Sequence, residues 1–238
     1  METEVKIPAR DATLDGNLTV PPAARGIVLF VHGSGSSRHS KRNRFVARTL
    51  NEAGLATLLF DLLTPEEEAV DLRTAHLRFD IGLLAGRLGS ATDWVLQEPA
   101  TRDLRIGYFG SSTGGGAALV AAAGRSHAVG AVVSRGGRPD LAGGALPNVK
   151  APTLLIVGGE DDVVIDMNQD AMAQMRCQVK LEIIPGATHL FEEPGALESV
   201  ASLASDWFTQ HLLPDDCAFE DYEKSMSGLW QEGKGRRF

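Results

Sequence analysis

Gly110-Ser111-Ser112-Thr113-Gly114 decides how this chain is read. It is a G-x-S-x-G sequence placed directly after an apolar, strand-like run, Arg105-Ile106-Gly107-Tyr108-Phe109, and it leads into the small residues Gly115, Gly116, Ala117 and Ala118. A serine hydroxyl is a poor nucleophile until the backbone holds it out toward a base. A sharp strand-to-helix turn does this, and the flanking glycines let the two elements approach without clashing side chains. The small residues that follow suit a helix packed closely on a sheet, with its N-terminal amides aimed at the site of chemistry. The competing reading is a glycine-rich turn with an idle serine, so the rest of the chain has to decide.

Outward from this turn, short apolar runs rich in β-branched residues alternate with helical patterns. Strands are predicted over 26–32, 56–61, 105–110, 129–134, 153–158 and 179–185. Near-continuous apolar strands of this kind indicate a parallel sheet covered on both faces. Ahead of them, 5–8 and 17–20 flank Asp15-Gly16, which reads as a hairpin turn and an antiparallel edge. Helical spacing runs through 40–53, 74–96, 166–175 and 196–212; in the second, Leu77, Ile81, Leu84, Leu88, Ala91 and Val95 step along one face. With no internal repeat or linker, the alternation predicts one doubly wound α/β domain over 1–213, its mostly parallel sheet flanked by helices on both faces. The insertions between strands are short, so a small or absent lid is expected. The tail, 214–238, carries Phe219, Tyr222, Trp230 and Phe238. These could dock on the domain or on a second subunit, which leaves a homodimer open.

The composition sets bounds. At 238 residues, with 43% hydrophobic and 23% charged content, the chain is long enough to bury a full core. A net charge of −8 argues against a nucleic-acid partner. No apolar run approaches the roughly 20 residues needed to cross a bilayer, so no membrane association is expected. The acidic start, Met1-Glu2-Thr3-Glu4, leads into no apolar signal core, and a cytoplasmic location is the expectation. Cys177 and Cys217 form no C-x-x-C pair and give neither a disulfide framework nor a zinc pattern.

A serine nucleophile needs a base, and the base needs an orienting acid. In folds that carry this turn the order along the chain is Ser, acid, His. Downstream of Ser112, the apolar run 153–158 ends in Gly159-Glu160-Asp161-Asp162, which puts a carboxylate just past a strand's carboxyl end. Asp161 is the first choice and Asp162 the second; either could instead cap the next helix, although Asp166 is better placed for that. After the next strand comes Gly186-Ala187-Thr188-His189, with the histidine in a loop at the same sheet edge. The expected triad is Ser112, Asp161 and His189. An oxyanion hole would take one backbone amide from Thr113 and a second from the loop His32-Gly33-Ser34-Gly35, placed at Ser34. Gly33-x-Gly35 after a strand also invites a dinucleotide-binding reading, with Arg38 and Asp61 as phosphate and ribose contacts, but that reading leaves Ser112, Asp161 and His189 unexplained.

Together, Val31-His32-Gly33-Ser34-Gly35-Ser36-Ser37, Gly110-Ser111-Ser112-Thr113-Gly114, Gly158-Gly159-Glu160-Asp161 and Gly186-Ala187-Thr188-His189 give the chain a resemblance over most of 14–212. It resembles the α/β-hydrolase superfamily, in particular the dienelactone hydrolase-like group, and looks most like small hydrolase modules found fused to phosphoribosyltransferase domains. Dienelactone hydrolases proper use a cysteine nucleophile. Ser112 therefore implies a general carboxylesterase on small or short-chain esters, with lactones or anionic esters in range, acting through an acyl-enzyme and needing no cofactor or metal. Arg135 and Arg138, in the glycine- and proline-rich stretch 135–149, are expected in a loop at the mouth of the site, where they could pair with a substrate carboxylate or phosphate. A bridge to Asp140 or exposure to solvent is the other expectation for them. A hydrolase fold kept only as a binding module is the non-enzymatic alternative.

Overall fold

The computed structural model describes residues 2–10 and 12–213. Strands β1 (Glu2–Ala9), β2 (Ala12–Thr19), β3 (Gly26–Val31), β4 (Ala56–Phe60), β5 (Arg105–Ser111), β6 (Val129–Arg135), β7 (Thr153–Gly158) and β8 (Val179–Ile184) form one sheet in the order β1-β2-β4-β3-β5-β6-β7-β8. The strands from β3 to β8 are parallel, and β1 and β2 add an antiparallel edge. Helices α1 (Lys41–Glu52), α2 (Pro65–Thr74), α3 (Ile81–Val95), α4 (Thr113–Gly124), α5 (Asp162–Gln174) and α6 (Ala196–Leu212) complete the chain. From β3 the chain steps one way to β4 and then returns to place β5 on the other side. The carboxyl ends of β3 and β5 therefore flank the switch point, where open α/β sheets bind ligands.

Period-two alternation divides each central strand between two cores. Ile27, Leu29 and Val31 of β3, with Ile106 and Tyr108 of β5, pack toward α3 and α4. Val28, Phe30 and Phe109 join α1 and α6 through Val46, Leu50, Val200, Ala204 and Phe208. Both sets are buried, which is why these strands read as unbroken apolar runs. Where a helix comes closest a side chain is excluded: a Cβ on Gly107 would lie 2.7 Å from the Phe208 ring and 2.9 Å from Leu212.

Two sequence expectations are corrected. The hairpin reverses after Ala9, which pairs with Ala12, while Asp15 and Gly16 stand inside β2 opposite Lys6 and Val5. Glycine at 16 sits in a tight place, since a Cβ there would be 3.2 Å from both Ile7 and Val5 side chains and would make them give way by a few tenths of an ångström. The helix expected over 74–96 begins at Ile81, capped by the Asp80 carboxylate. Ahead of it lies α2, started by a capping box in which Thr64 and Glu67 exchange side-chain and backbone hydrogen bonds, with Pro65 at the first turn. Asp71 is the buried residue of α2; its carboxylate accepts from the amides of Leu77 and Arg78 and from Arg78 Nε. That clamp folds 65–79 onto itself as a short cover beyond β4, leaving Leu72 73% and Phe79 54% exposed. The aromatic tail singled out in the sequence lies outside the described residues. Among the described residues no helix is long and apolar enough to cross a membrane.

Gly107→Val should lower unfolding free energy by about 1–3 kcal/mol through overpacking against Phe208 and Leu212. Gly86→Ala, on an exposed turn of α3 where a Cβ meets nothing within 4 Å, should raise it by about 1 kcal/mol. Urea denaturation of the two variants beside the wild type reads both; equal effects would refute this account of the packing.

Candidate active site

Ser112 joins β5 to α4 with φ 51° and ψ −122°, a conformation that costs a side-chain-bearing residue about 1–3 kcal/mol. Three backbone bonds hold it there. Its N–H donates to the Arg135 carbonyl at 3.2 Å, and its own carbonyl accepts from Gly115 N–H at 2.9 Å and Arg138 N–H at 3.0 Å. The glycines of the motif are sites of backbone contact. A Cβ on Gly110 would lie 2.5 Å from the Gly114 carbonyl, and one on Gly114 would overlap the Val31 carbonyl. A Cβ on Gly33 would come 3.1 Å from Ser112 Cβ, which places the loop after β3 directly beside the serine.

Asp161 lies three residues past β7 at the N-cap of α5. Its carbonyl accepts from Val164 and Ile165 N–H, but its carboxylate turns away from the helix and accepts from His189 Nδ1 at 2.7 Å. Asp162 opens the helix, and Asp166, which the sequence favoured as its cap, lies inside it. The loops carrying Asp161 and His189 are joined through backbone: Gly159 N–H donates to Ile184 at 2.8 Å and Glu160 N–H to Ala187 at 2.9 Å. Next to the histidine, the Thr188 hydroxyl and amide both donate to Glu193, and that hydroxyl bond leads in holding the Glu193 carboxyl below its ordinary range. A Cβ on Gly136 would stand 3.5 Å from His189 Cε1, so the imidazole lies near the residue after β6, between Arg135 and Arg138, whose backbones grip Ser112.

Two residues beside Ser112 do work that the sequence reading missed. His32 Nδ1–H donates to the Gly33 carbonyl at 3.0 Å, and Nε2 accepts from Leu62 N–H at 3.1 Å, tying the loop after β3 to the chain after β4. Accepting at Nε2 requires a neutral ring, and burial pushes the His32 pKa below the usual imidazole value. Thr113, 3% exposed, accepts the Ser34 N–H on its hydroxyl at 3.0 Å. The two residues predicted to supply oxyanion amides are therefore linked to each other. Beside them lies a cavity of about 90 Å³ bounded by Gly33, Ser34, Leu62, Leu72, Arg78 and Thr113.

Other sequence candidates separate cleanly. Arg38 bonds to the Asp61 carboxylate through both backbone and guanidinium, and to Asn17 Oδ1 at 3.1 Å. The groups a dinucleotide reading would use for phosphate and ribose are thus tied to one another. Arg138 makes a two-point bridge to Asp140 at 2.8 and 2.7 Å, which pushes its pKa up. Arg135 is the final residue of β6, outside the loop in which it was expected, and is 7% exposed.

The family model of the dienelactone hydrolase family matches residues 14–212. A crystal structure of a dienelactone hydrolase from Anabaena variabilis is 65% identical, covering 89% of this chain and 98% of its own, with a TM-score of 0.88. Est1E from Butyrivibrio proteoclasticus shares the fold at 18% identity and a TM-score of 0.73, over 87% and 98% of the two chains. Two Mycobacterium tuberculosis proteins named as phosphoribosyl transferases are 60% identical over 211 residues, 89% of this chain. The match spans 47% of their length, so the chain is about half as long as these relatives.

His32 gives a pH signature. Its folded pKa lies below the ordinary 6.5, so the folded state resists the proton that the unfolded chain takes up. Its contribution is complete above about pH 6.5 and is lost as pH falls from there toward the folded value. Between pH 7 and 5.5 the wild type should lose more stability in urea than His32→Gln; parallel losses would contradict the neutral, loop-tying ring.

Proposed function

The chain belongs to the dienelactone hydrolase family, and from that premise we propose that it hydrolyses carboxylic esters through Ser112, Asp161 and His189. The observation that carries this reading is the 2.7 Å bond from His189 Nδ1–H to Asp161, made at the sheet edge where the strained Ser112 turn also lies. With Nδ1 occupied as a donor, Nε2 is left as the basic nitrogen. It takes the Ser112 proton as the hydroxyl attacks the ester carbonyl, and Asp161 stabilises the imidazolium that forms. The same proton goes to the departing alcohol, leaving an acyl-Ser112. Water, deprotonated by His189, then attacks the acyl carbon and releases the acid.

The amides of Thr113 and Ser34 receive the tetrahedral oxyanion. In the resting enzyme the Thr113 hydroxyl satisfies Ser34 N–H. The substrate oxygen takes over this donor, so the Ser34 amide is not left bare between turnovers. A cavity of about 90 Å³ beside these donors suits a short acyl chain, and the name of the Anabaena relative brings lactones into the range. We assign the transferase activity named for the mycobacterial relatives to the half of those proteins that this chain does not match.

Hydrolysis of p-nitrophenyl acetate, butyrate and octanoate tests the reading. Activity should fall along the series, Ser112→Ala should lower kcat by at least 10³-fold, and Asp161→Asn by about 10³–10⁴-fold. An organophosphonate should label wild type and not Ser112→Ala. Undiminished turnover in Ser112→Ala would overturn the nucleophile.

A further inference from the structure

The reaction above leaves one charged group without a use. Arg135 stands opposite Ser111 across β5 and β6, and its carbonyl holds the Ser112 amide. Strand alternation sends its side chain to the face shared with Ala131 and Val133, toward α1. There Nε and Nη1 are buried with no hydrogen-bond partner among the described residues. The guanidinium lies over the Phe191 ring, 5.6 Å from its centroid. Burial is the main cause that pushes its pKa down to about 10, with the charge of Arg42 adding to it, and the group stays cationic at neutral pH.

Arg42, in the first turn of α1, shares the surroundings. Its Nη1 bonds to Glu192 at 2.8 Å, next in sequence to Phe191, while its Nε is also buried without a partner among the described residues. The pair Phe191-Glu192, just past His189, therefore touches both arginines. Glu192 is 65% exposed at its side chain and engages Arg42, and among the described residues no carboxylate pairs with Arg135. Arg138, three residues on, shows the contrast by closing on Asp140. A buried cation without counter-charge is strongly unfavourable, and planar guanidinium donors match the paired oxygens of carboxylates and phosphates.

We propose that Arg135 and Arg42 form an oxyanion-binding site beneath the His189 loop, taking a carboxylate or phosphate group. The bound group bridges the unused donors of the two side chains and ties the first turn of α1 to the end of β6. This goes beyond the hydrolase reading and stands whether or not Ser112 is the nucleophile. Its ligand comes either free from solution or as the charged arm of an ester.

Thermal unfolding of the full chain in sodium phosphate, against sodium chloride at equal ionic strength and pH 7, tests it. Phosphate should raise the wild-type Tm saturably in the millimolar range. Arg135→Met, similar in length and uncharged, should abolish that rise and melt no lower than wild type in chloride, because the uncompensated charge has gone. A wild type indifferent to phosphate, an equal rise in both proteins, or an Arg135→Met protein that melts well below wild type in chloride would each overturn the site. Phosphate that competes with p-nitrophenyl hemisuccinate identifies the charged arm of an ester as the ligand; phosphate that binds without competing identifies a free anion. The melting arm reads the site even if no ester is turned over, so its failure is separate from failure of the hydrolase reading.

Discussion

Backbone-to-backbone contact at the carboxyl ends of β3 and β5 is the constraint on which the site depends. Val31, Gly110 and Gly114 meet there without room for a side chain, and Gly33 brings the next loop against Ser112. Such an approach fixes the start of α4 relative to β3 and leaves Ser112 no relaxed conformation. The strain is borne by the surrounding order: bonds from Arg135, Gly115 and Arg138, and two apolar cores that hold strand and helix in register. Substrate-facing geometry is thus inherited from packing well below the surface.

Around this point, polar groups are set by their partners. Asp161 combines two tasks that compete in most sequences, its carbonyl starting α5 while its carboxylate serves His189. His32 is kept neutral and donates and accepts at once, which makes it a tie between two loops. Arg135 is the reverse case, a cation in the same neighbourhood with donors to spare. The first two need nothing from outside the chain; the third does.

Much of this was legible in the sequence because the central strands are covered on both sides, and unbroken apolar runs announce themselves to within a residue or two. The placing of Ser112, Asp161 and His189 at one sheet edge was legible for the same reason, each following such a run. What misled was local chemistry with two uses. Asp15-Gly16 is a strong turn signal, but both residues lie inside β2, where Gly16 stands close to Ile7 and Val5. Leu77 continues the period of α3, yet the Asp71–Arg78 clamp bends the chain before the helix can start. The direction of a carboxylate at a helix N-cap is set by tertiary neighbours, so Asp161 and Asp162 could only be ranked. Arg135 and Arg138 look alike in sequence and differ because Arg135 is the last residue of β6 while Arg138 lies three residues past it.

The cover formed by 65–79 has a consequence of its own. It lends Leu72 and Arg78 to the cavity wall and is fastened to itself through the Thr64–Glu67 box and the Asp71–Arg78 clamp and to α3 through the Glu67–Arg87 pair, while α2 gives the core little. Natural selection can therefore rewrite this stretch, changing what the enzyme admits, without renegotiating the sheet beneath it. Divergence in taste among descendants of this scaffold has a cheap place to begin.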